Sequence, residues 1–234
     1  MASKSFGLQA ARLSHLVTGK GGVAGEVDDL RGDVEAGFTK LEGEGGLLRT
    51  VEWVDPPAAD ADYLMTTRAS QVAVDVIDEN TAEWTAAAEM DPPRNLVITS
   101  TLHADILGGN YEVVGFVRDE NGNLAAQTET IAQTIGGAAD AGTKAWSTVT
   151  SVTFPAAAGT NSNITIGFGD IIGLPVAMAS LAGLLQPVRE IEAGAVVTTG
   201  TFTTAAAQPP HGTYLAATVP DAANDYALTY VVEV

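Results

Sequence analysis

Between Pro92 and Pro175, short runs of β-branched and aromatic residues alternate with Gly, Pro, Asn and Asp, a pattern that predicts strands joined by tight turns. The expected strands are Asn95 to Thr101 (NLVITST), Tyr111 to Val117 (YEVVGFV), Leu124 to Ile131, Ala145 to Phe154 and Ile164 to Phe168. Along Lys144 to Phe154 alternate residues fall into two sets. A single extended strand there turns Trp146, Val152 and Phe154 toward a core. Asn121-Gly122, inside Asp119 to Asn123, is a hairpin signal because both residues tolerate positive φ. Such a hairpin sets Val114, Phe116, Ala126 and Thr128 near one another. Gly169 to Pro175 reads as a turn with apolar anchors.

Outside this run the signals are sparser. Val51, Trp53 and Val54 predict a strand stopped by Asp55-Pro56-Pro57, and the spacing of Val72, Val74 and Val76 predicts another over residues 70 to 78. Asp91-Pro92-Pro93 and Pro209-Pro210-His211-Gly212 are chain breaks. Leu181 to Leu185 and Pro187 to Ile191 are short apolar runs, and Gly194 to Thr204 favours strand. Tyr226 to Val234 is an apolar final strand that needs a place inside a sheet, since an exposed apolar edge invites aggregation. The fold expected is mainly β: an antiparallel β-sandwich or β-barrel-like body over residues 47 to 234, where subdivisions would fall near 91 and 180.

The period changes before this body. From Glu26 to Glu42 the apolar residues Val27, Leu30, Val34, Phe38 and Leu41 recur at spacings of three and four, with charged residues on the other face. This predicts a short amphipathic helix of about four turns, ended by Gly43, Gly45 and Gly46, so that residues 26 to 46 form helix and Gly-rich linker. The apolar stripe must be buried, against the body or against copies of itself as an oligomer contact. Residues 1 to 25, with five glycines among small polar residues, predict an extended N-terminal arm that orders only against a partner.

Composition narrows the function classes. A chain of 234 residues with 46% apolar content can bury a real core. Without cysteine there is no disulfide, thiolate metal site or Cys nucleophile. No apolar run approaches the ~20 residues of a spanning helix, and the N-terminus has no secretory pattern, so neither a membrane nor an export route is expected. A net charge of -18 makes phosphate backbones repulsive partners, and nucleic acid is not expected. The charge is unevenly placed. Residues 1 to 25 hold Lys4, Arg12 and Lys20 and no acid, whereas residues 51 to 234 hold five basic residues against 22 acids. A basic arm precedes an acidic body.

Several motifs suggest chemistry and then fall short of it. Lys20-Gly21-Gly22 echoes a phosphate loop without the Gly-Lys-Ser/Thr ending or a preceding strand. Asp119, Asn121 and Asn123 open like a calcium loop, yet Leu124 stands where Gly belongs and Thr130 where the bidentate Glu belongs. Acid pairs such as Asp60 with Asp62, or Asp221 with Asp225, are left open as Ca²⁺ ligands. His15, His103 and His211 are far apart, without ligand spacing, and read as surface or loop residues. Carboxylates for glycoside cleavage exist among 29 acids, but 6% aromatic content is thin for a sugar-binding cleft and the chain is short for a spike enzyme. No catalytic residue, cofactor or metal site is expected.

The ordering of segments carries more than any one motif. Pro93-Arg94-Asn95 stands before a strand; Gly142-Thr143-Lys144-Ala145-Trp146, Gly167-Phe168-Gly169-Asp170, Gly173-Leu174-Pro175 and Gly212-Thr213-Tyr214 follow in turn, with Asp225 to Val232 at the end. Arg31-Gly32-Asp33-Val34 and Gly37-Phe38 precede them. Over roughly residues 8 to 55 and 92 to 234 this set resembles tailed-bacteriophage virion structural proteins of the head decoration, cement or head-fibre type. The resemblance implies a non-enzymatic protein assembled in bacterial cytoplasm and carried on the outer surface of the capsid, with the major capsid protein as partner. Lys4, Arg12 and Lys20 are then the expected capsid contacts. Val27, Leu30, Val34, Phe38 and Leu41 are the expected contacts of a homo-oligomer, a trimer to suit three-fold positions. The alternative is a receptor-binding tail fibre or spike component that recognises host surface glycans.

Overall fold

The computed structural model describes residues 46–85, 90–118, 123–175, 189–203 and 211–233. The chain divides after Gly46, and apart from that residue every described position belongs to the unit Leu47–Val234. The predicted arm, the predicted helix and the Asn121-Gly122 turn lie outside the described residues. The described residues form strands β1 (Gly46–Trp53), β2 (Asp60–Ala69), β3 (Asp75–Asp78), β4 (Arg94–Ser100), β5 (Gly109–Arg118), β6 (Leu124–Gln133), β7 (Ala139–Trp146), β8 (Thr148–Phe154), β9 (Asn163–Gly173), β10 (Arg189–Glu192), β11 (Ala195–Val197), β12 (Thr201–Thr203), β13 (Thr213–Leu215) and β14 (Tyr226–Glu233). The architecture is mainly β and sandwich-like, as the sequence predicts, and no helix occurs among the described residues.

Two sheets enclose the main core. One runs β3-β8-β5-β6; the other runs β12-β13-β9-β4-β7, with β2 also paired to β9. The inward residues of β5 and β8, Tyr111, Val113, Val117, Val149, Val152 and Phe154, meet Leu64, Met65, Leu96, Ile98, Trp146, Ile164, Ile166 and Phe168 from the opposite sheet. Tyr111 packs edge-on against Phe154 at 5.4 Å, and Tyr63 against Phe168 at 4.9 Å, both geometries favoured by the ring quadrupoles. A second, smaller core gathers Leu174, Tyr214, Ala216, Tyr226, Leu228, Tyr230 and Val232, with Val51, Trp53 and Phe202 against it. The sheet β1-β14-β10-β11 belongs to this core. There β14 lies between β1 and β10, so the apolar last strand is paired on both edges, as expected.

The β5–β6 hairpin has the predicted register: Val114 pairs with Thr128 and Phe116 with Ala126. Elsewhere the structure departs from simple periodicity for local reasons. Ala145 to Phe154 is two strands in different sheets, because the chain turns a corner at Ser147, whose N–H donates to Phe116 O at 2.9 Å. A bulge then shifts the register between Val114/Ser151 and Gly115/Val149, so Val149 is buried together with Val152 and Phe154. The strand expected from residue 70 is only β3; Val72 and Val74 precede it and are exposed. β2 goes unpredicted because its pairing with β9 slips twice, burying Leu64 and Met65 side by side and hiding any period of two. β9 continues through Gly173 instead of turning at Gly169, with β4 on one edge and β2 then β13 on the other. Gly167 permits this crowding: a Cβ there would collide with the carbonyl oxygen of Asp60.

Candidate functional site

Arg94-Asn95, Gly142, Phe168 to Asp170, Gly173-Leu174 and Gly212, several of the motifs singled out in the sequence, meet where β4, β7, β9 and β13 join. Arg94 is 1% exposed; its Nε donates to Gly169 O and its Nη1 to Pro57 O, both at 2.8 Å. Its guanidinium lies 5.1 Å from the Phe168 ring centroid and its Nη2 lies 3.8 Å from Asp170. Burial lowers the Arg94 pKa to about 10, and the Asp170 charge partly opposes that shift. Beside it the buried Asn95 spans two strands, donating to Gly142 O at 2.9 Å and accepting from Ile171 N at 3.0 Å. Gly173 N donates to Pro93 O at 2.8 Å, and Leu174 N to Gly212 O at 3.2 Å. These are architectural groups: they hold strand ends in register where bulges interrupt the ladders.

Next to this knot lies a cleft of about 240 Å³. Val51, Glu52 and Trp53 of β1 line it, as do Asp91, Pro92 and Pro93. Val117 and Arg118 at the end of β5, Ala145 of β7, Gly173 to Pro175 at and beyond the end of β9, and His211, Gly212 and Thr213 also line it. Gly212 adopts φ +88°, a left-handed conformation that only glycine takes at little cost. That turn carries His211 and Thr213 to the cleft wall. His211 lies in a turn, consistent with the loop half of the surface-or-loop expectation, but it is 5% exposed, not at the surface, and its Nε2 is buried without a hydrogen-bond partner. The cleft walls are mainly apolar, with two carboxylates, a guanidinium, an imidazole and a hydroxyl among them.

A second buried polar group sits between the sheets of the smaller core. The Oε2 of Glu190 accepts from the Tyr214 hydroxyl and from Gly200 N. Burial, and then the bond to Glu190, raise the Tyr214 phenol above its ordinary range. Tyr226, also buried, is pushed up to about 12, first by desolvation and then by the charges of Glu192 and Asp221.

The expected capsid contacts Lys4, Arg12 and Lys20 and the expected oligomer contacts Val27, Leu30, Val34, Phe38 and Leu41 all lie outside the described residues. Asp119 and Asn121 of the calcium-like motif lie outside them as well. Asp60 and Asp62 do meet: Asp62 N donates to Asp60 Oδ1, and the hydrogen bond and charge of Asp60 raise the Asp62 carboxyl. Asp221 caps a turn through Ala223 N and Asn224, while Asp225 accepts from Asp55 N. Among the described residues no three His, Asp or Glu side chains are grouped to hold a metal ion. His103 stands beside Asp105 at 3.4 Å. Sequence reasoning missed the buried roles of Arg94, Asn95, Glu190 and His211. The one available signal was Gly212, a glycine placed directly after a Pro-Pro-His break.

The described residues therefore define an antiparallel β protein with a small cleft beside β1. No family model matches the chain, and neither any curated protein nor any solved structure does.

Proposed function

We propose that this chain is a non-enzymatic structural component of a tailed-bacteriophage particle, a decoration or cement protein on the outer surface of the head. The observation that supports the reading is that several of the motifs of the resemblance share one structural knot, built from Arg94, Asn95, Phe168, Gly173 and Gly212. Motifs with architectural roles suit a structural protein, the class that the sequence resemblance implies. The acidic body, with 22 acids against five basic residues over 51 to 234, is repelled by packaged DNA and suits the outer face. The basic residues Lys4, Arg12 and Lys20 meet acidic patches of the major capsid protein, and the stripe Val27, Leu30, Val34, Phe38, Leu41 joins copies into a trimer.

The test is immunogold labelling of particles made by the phage that encodes the chain, together with co-sedimentation of the purified protein with expanded heads. Label on heads, and co-sedimentation lost on deleting residues 1 to 25, is the expected result. Label confined to tails would transfer the chain to the receptor-binding class. Undiminished head binding by the deletion would remove the arm from the mechanism.

A further inference from the structure

We propose that the outer face of the sheet β3-β8-β5-β6 is a self-association surface on which a second copy of this chain docks face to face, a contact separate from attachment to a particle and from the stripe Val27 to Leu41. The strand register lays out that face. Val114 and Phe116 of β5 stand at its centre, with Ser151 and Thr148 of β8 on one side and Thr128 and Ala126 of β6 on the other. Val76, Thr153, Glu112 and Thr130 form the adjoining row. The alternate residues of the same strands, such as Ile77, Val113 and Val152, belong to the main core, so these rows point away from it. Val76 is 54% exposed and Val114 39%, and Phe116 is half-buried outside both cores.

Charge selects a second copy as the occupant. In a chain of net charge -18, Glu112 is the single ionised group within these rows. Asp78 stands at the β3 edge, where it accepts from Asn80 N of its own turn, and Arg118 at the end of β5. A basic partner would favour the carboxylates carried elsewhere, whereas two acidic copies repel each other least where each carries least charge. The charges that remain are self-complementary. Glu112 and Arg118 lie on the same side of β5, at equal distances along the strand from Gly115. A two-fold axis crossing the strand at Gly115 sets each over its opposite in the second copy. The surface is also cheap to order, because Thr, Val, Ser and Ala side chains lose little rotamer freedom when covered. Strands of 4, 7, 10 and 10 residues, at ~3.4 Å per residue and ~4.8 Å apart, span roughly 500 Å² in projection. Two such faces bury roughly 1,000 Å², the lower bound of a specific interface, which makes the dimer a weak one that forms on concentration.

The experiment is sedimentation equilibrium of the full chain from ~1 to ~200 µM, the range in which a small interface assembles. The expected result is a reversible doubling of mass, weakened about tenfold or more in Val114→Glu and in Thr128→Glu, each of which sets like charges against each other across the axis. Thr160→Glu, at an exposed loop position outside the sheet, should associate as the parent does. Glu112→Arg and Arg118→Glu should each weaken the dimer, and the two together should restore it, a rescue that a merely structural role would not give. Should Val114→Glu fail to fold, Thr128→Glu, at an exposed position of β6, decides the matter. The proposal is overturned if no mass doubling occurs over that range, or if doubling survives both Val114→Glu and Thr128→Glu unchanged. It is equally overturned if those variants lose co-sedimentation with heads while doubling persists, which would give the face to a capsid partner. A trimer held by the stripe would keep its threefold mass in Val114→Glu, and deleting residues 1 to 25 leaves this face untouched, so the two readings fail separately.

Discussion

Removing the carboxylate of Glu129 should unfasten the corner between the two main sheets. Glu129 lies on β6, half-buried, and reaches across to β7 of the opposite sheet. Its Oε1 accepts from Thr143 N at 2.7 Å and Lys144 N at 3.0 Å, and its Oε2 from Trp146 Nε1 at 3.2 Å. The cause is local. The β4–β7 register slips between Asn95/Ala145 and Val97/Ala141, so the intervening residues of β7 do not continue a regular ladder with β4. Gly142 leaves room for the carboxylate, since a Cβ there would lie 2.6 Å from Glu129 Oε2. In Glu129→Ala the indole N–H of Trp146, a residue 0% exposed, loses its acceptor, at a cost of ~1–3 kcal/mol. The two backbone amides turn to water and lose ~0.5–1 kcal/mol each. The sum is about 3 kcal/mol, or roughly 6–12 °C in Tm for a body of this size. Urea and thermal unfolding followed by tryptophan fluorescence measure it directly. In a Trp146→Phe background the same substitution should cost at least about 1 kcal/mol less, the coupling expected of groups in contact. A loss below about 0.5 kcal/mol in the parent, or a cycle with no coupling, would refute this account of the corner.

Gly167→Ala should be far more damaging than Gly136→Ala. At Gly167 the new methyl meets backbone atoms of Asp60 and Ala61 and must push β2 off β9, costing ~3 kcal/mol or more, whereas at Gly136 it meets open space and only the positive φ resists, at ~1 kcal/mol. Urea midpoints compare the two, and equal losses would refute the crowding at β9. Arg94→Ala should destabilise by ~3–5 kcal/mol because it leaves Gly169 O, Pro57 O and the Phe168 face without their partner, while Arg94→Met, which keeps the bulk and removes the buried charge, should cost less. Equal unfolding midpoints would show that packing bulk has no part in the effect. Stability should fall as pH rises above about 10. Tyr111, Tyr214 and Tyr226 all have folded pKa values raised by burial, so their contribution is complete below the unfolded value of 10 and is lost as pH climbs through the folded values, about 12 for Tyr226. Arg94, lowered to about 10, acts in the opposite sense between 10 and 12.5, one group against three. Urea titrations at increasing pH measure the slope, which Tyr226→Phe should flatten; an unchanged slope would return Tyr226 to ordinary titration.

Strands were legible where one face met water and the pairing ran without interruption. β5 alternates buried Tyr111, Val113 and Val117 with exposed Glu112 and Val114, and its hairpin partners follow from the pattern alone. β14 was legible because an apolar terminal strand has only one safe location. Where β2 slips against β9, or the chain turns from β7 into β8 at Ser147, the period of two is broken by geometry fixed elsewhere in the sheet, and no local pattern survives to be read. The cleft was not legible for a similar reason. Trp53, Asp91, Arg118 and His211 are spread over 158 positions of chain and meet only through the ends of β1, β5 and β9. His211 alone carried a hint, through the glycine that follows it.

The polar groups that sequence reasoning passed over share one physical role. Arg94, Asn95 and Glu129 each stand beside a register slip, and each supplies side-chain donors or acceptors to backbone groups near it. An apolar side chain at those positions would fill space yet leave backbone amides or carbonyls buried and unpaired. Bulges let strands change direction and share β9, and the side-chain hydrogen bonds remove the penalty that bulges incur. The same knot fixes Pro93, Gly173 and Gly212, and hence the walls of the cleft. A rigid cleft at the junction of two cores is thus a by-product of how the sandwich solves its own register, which makes the cleft a feature that substitutions at Arg94 or Asn95 should deform even though neither residue lines it.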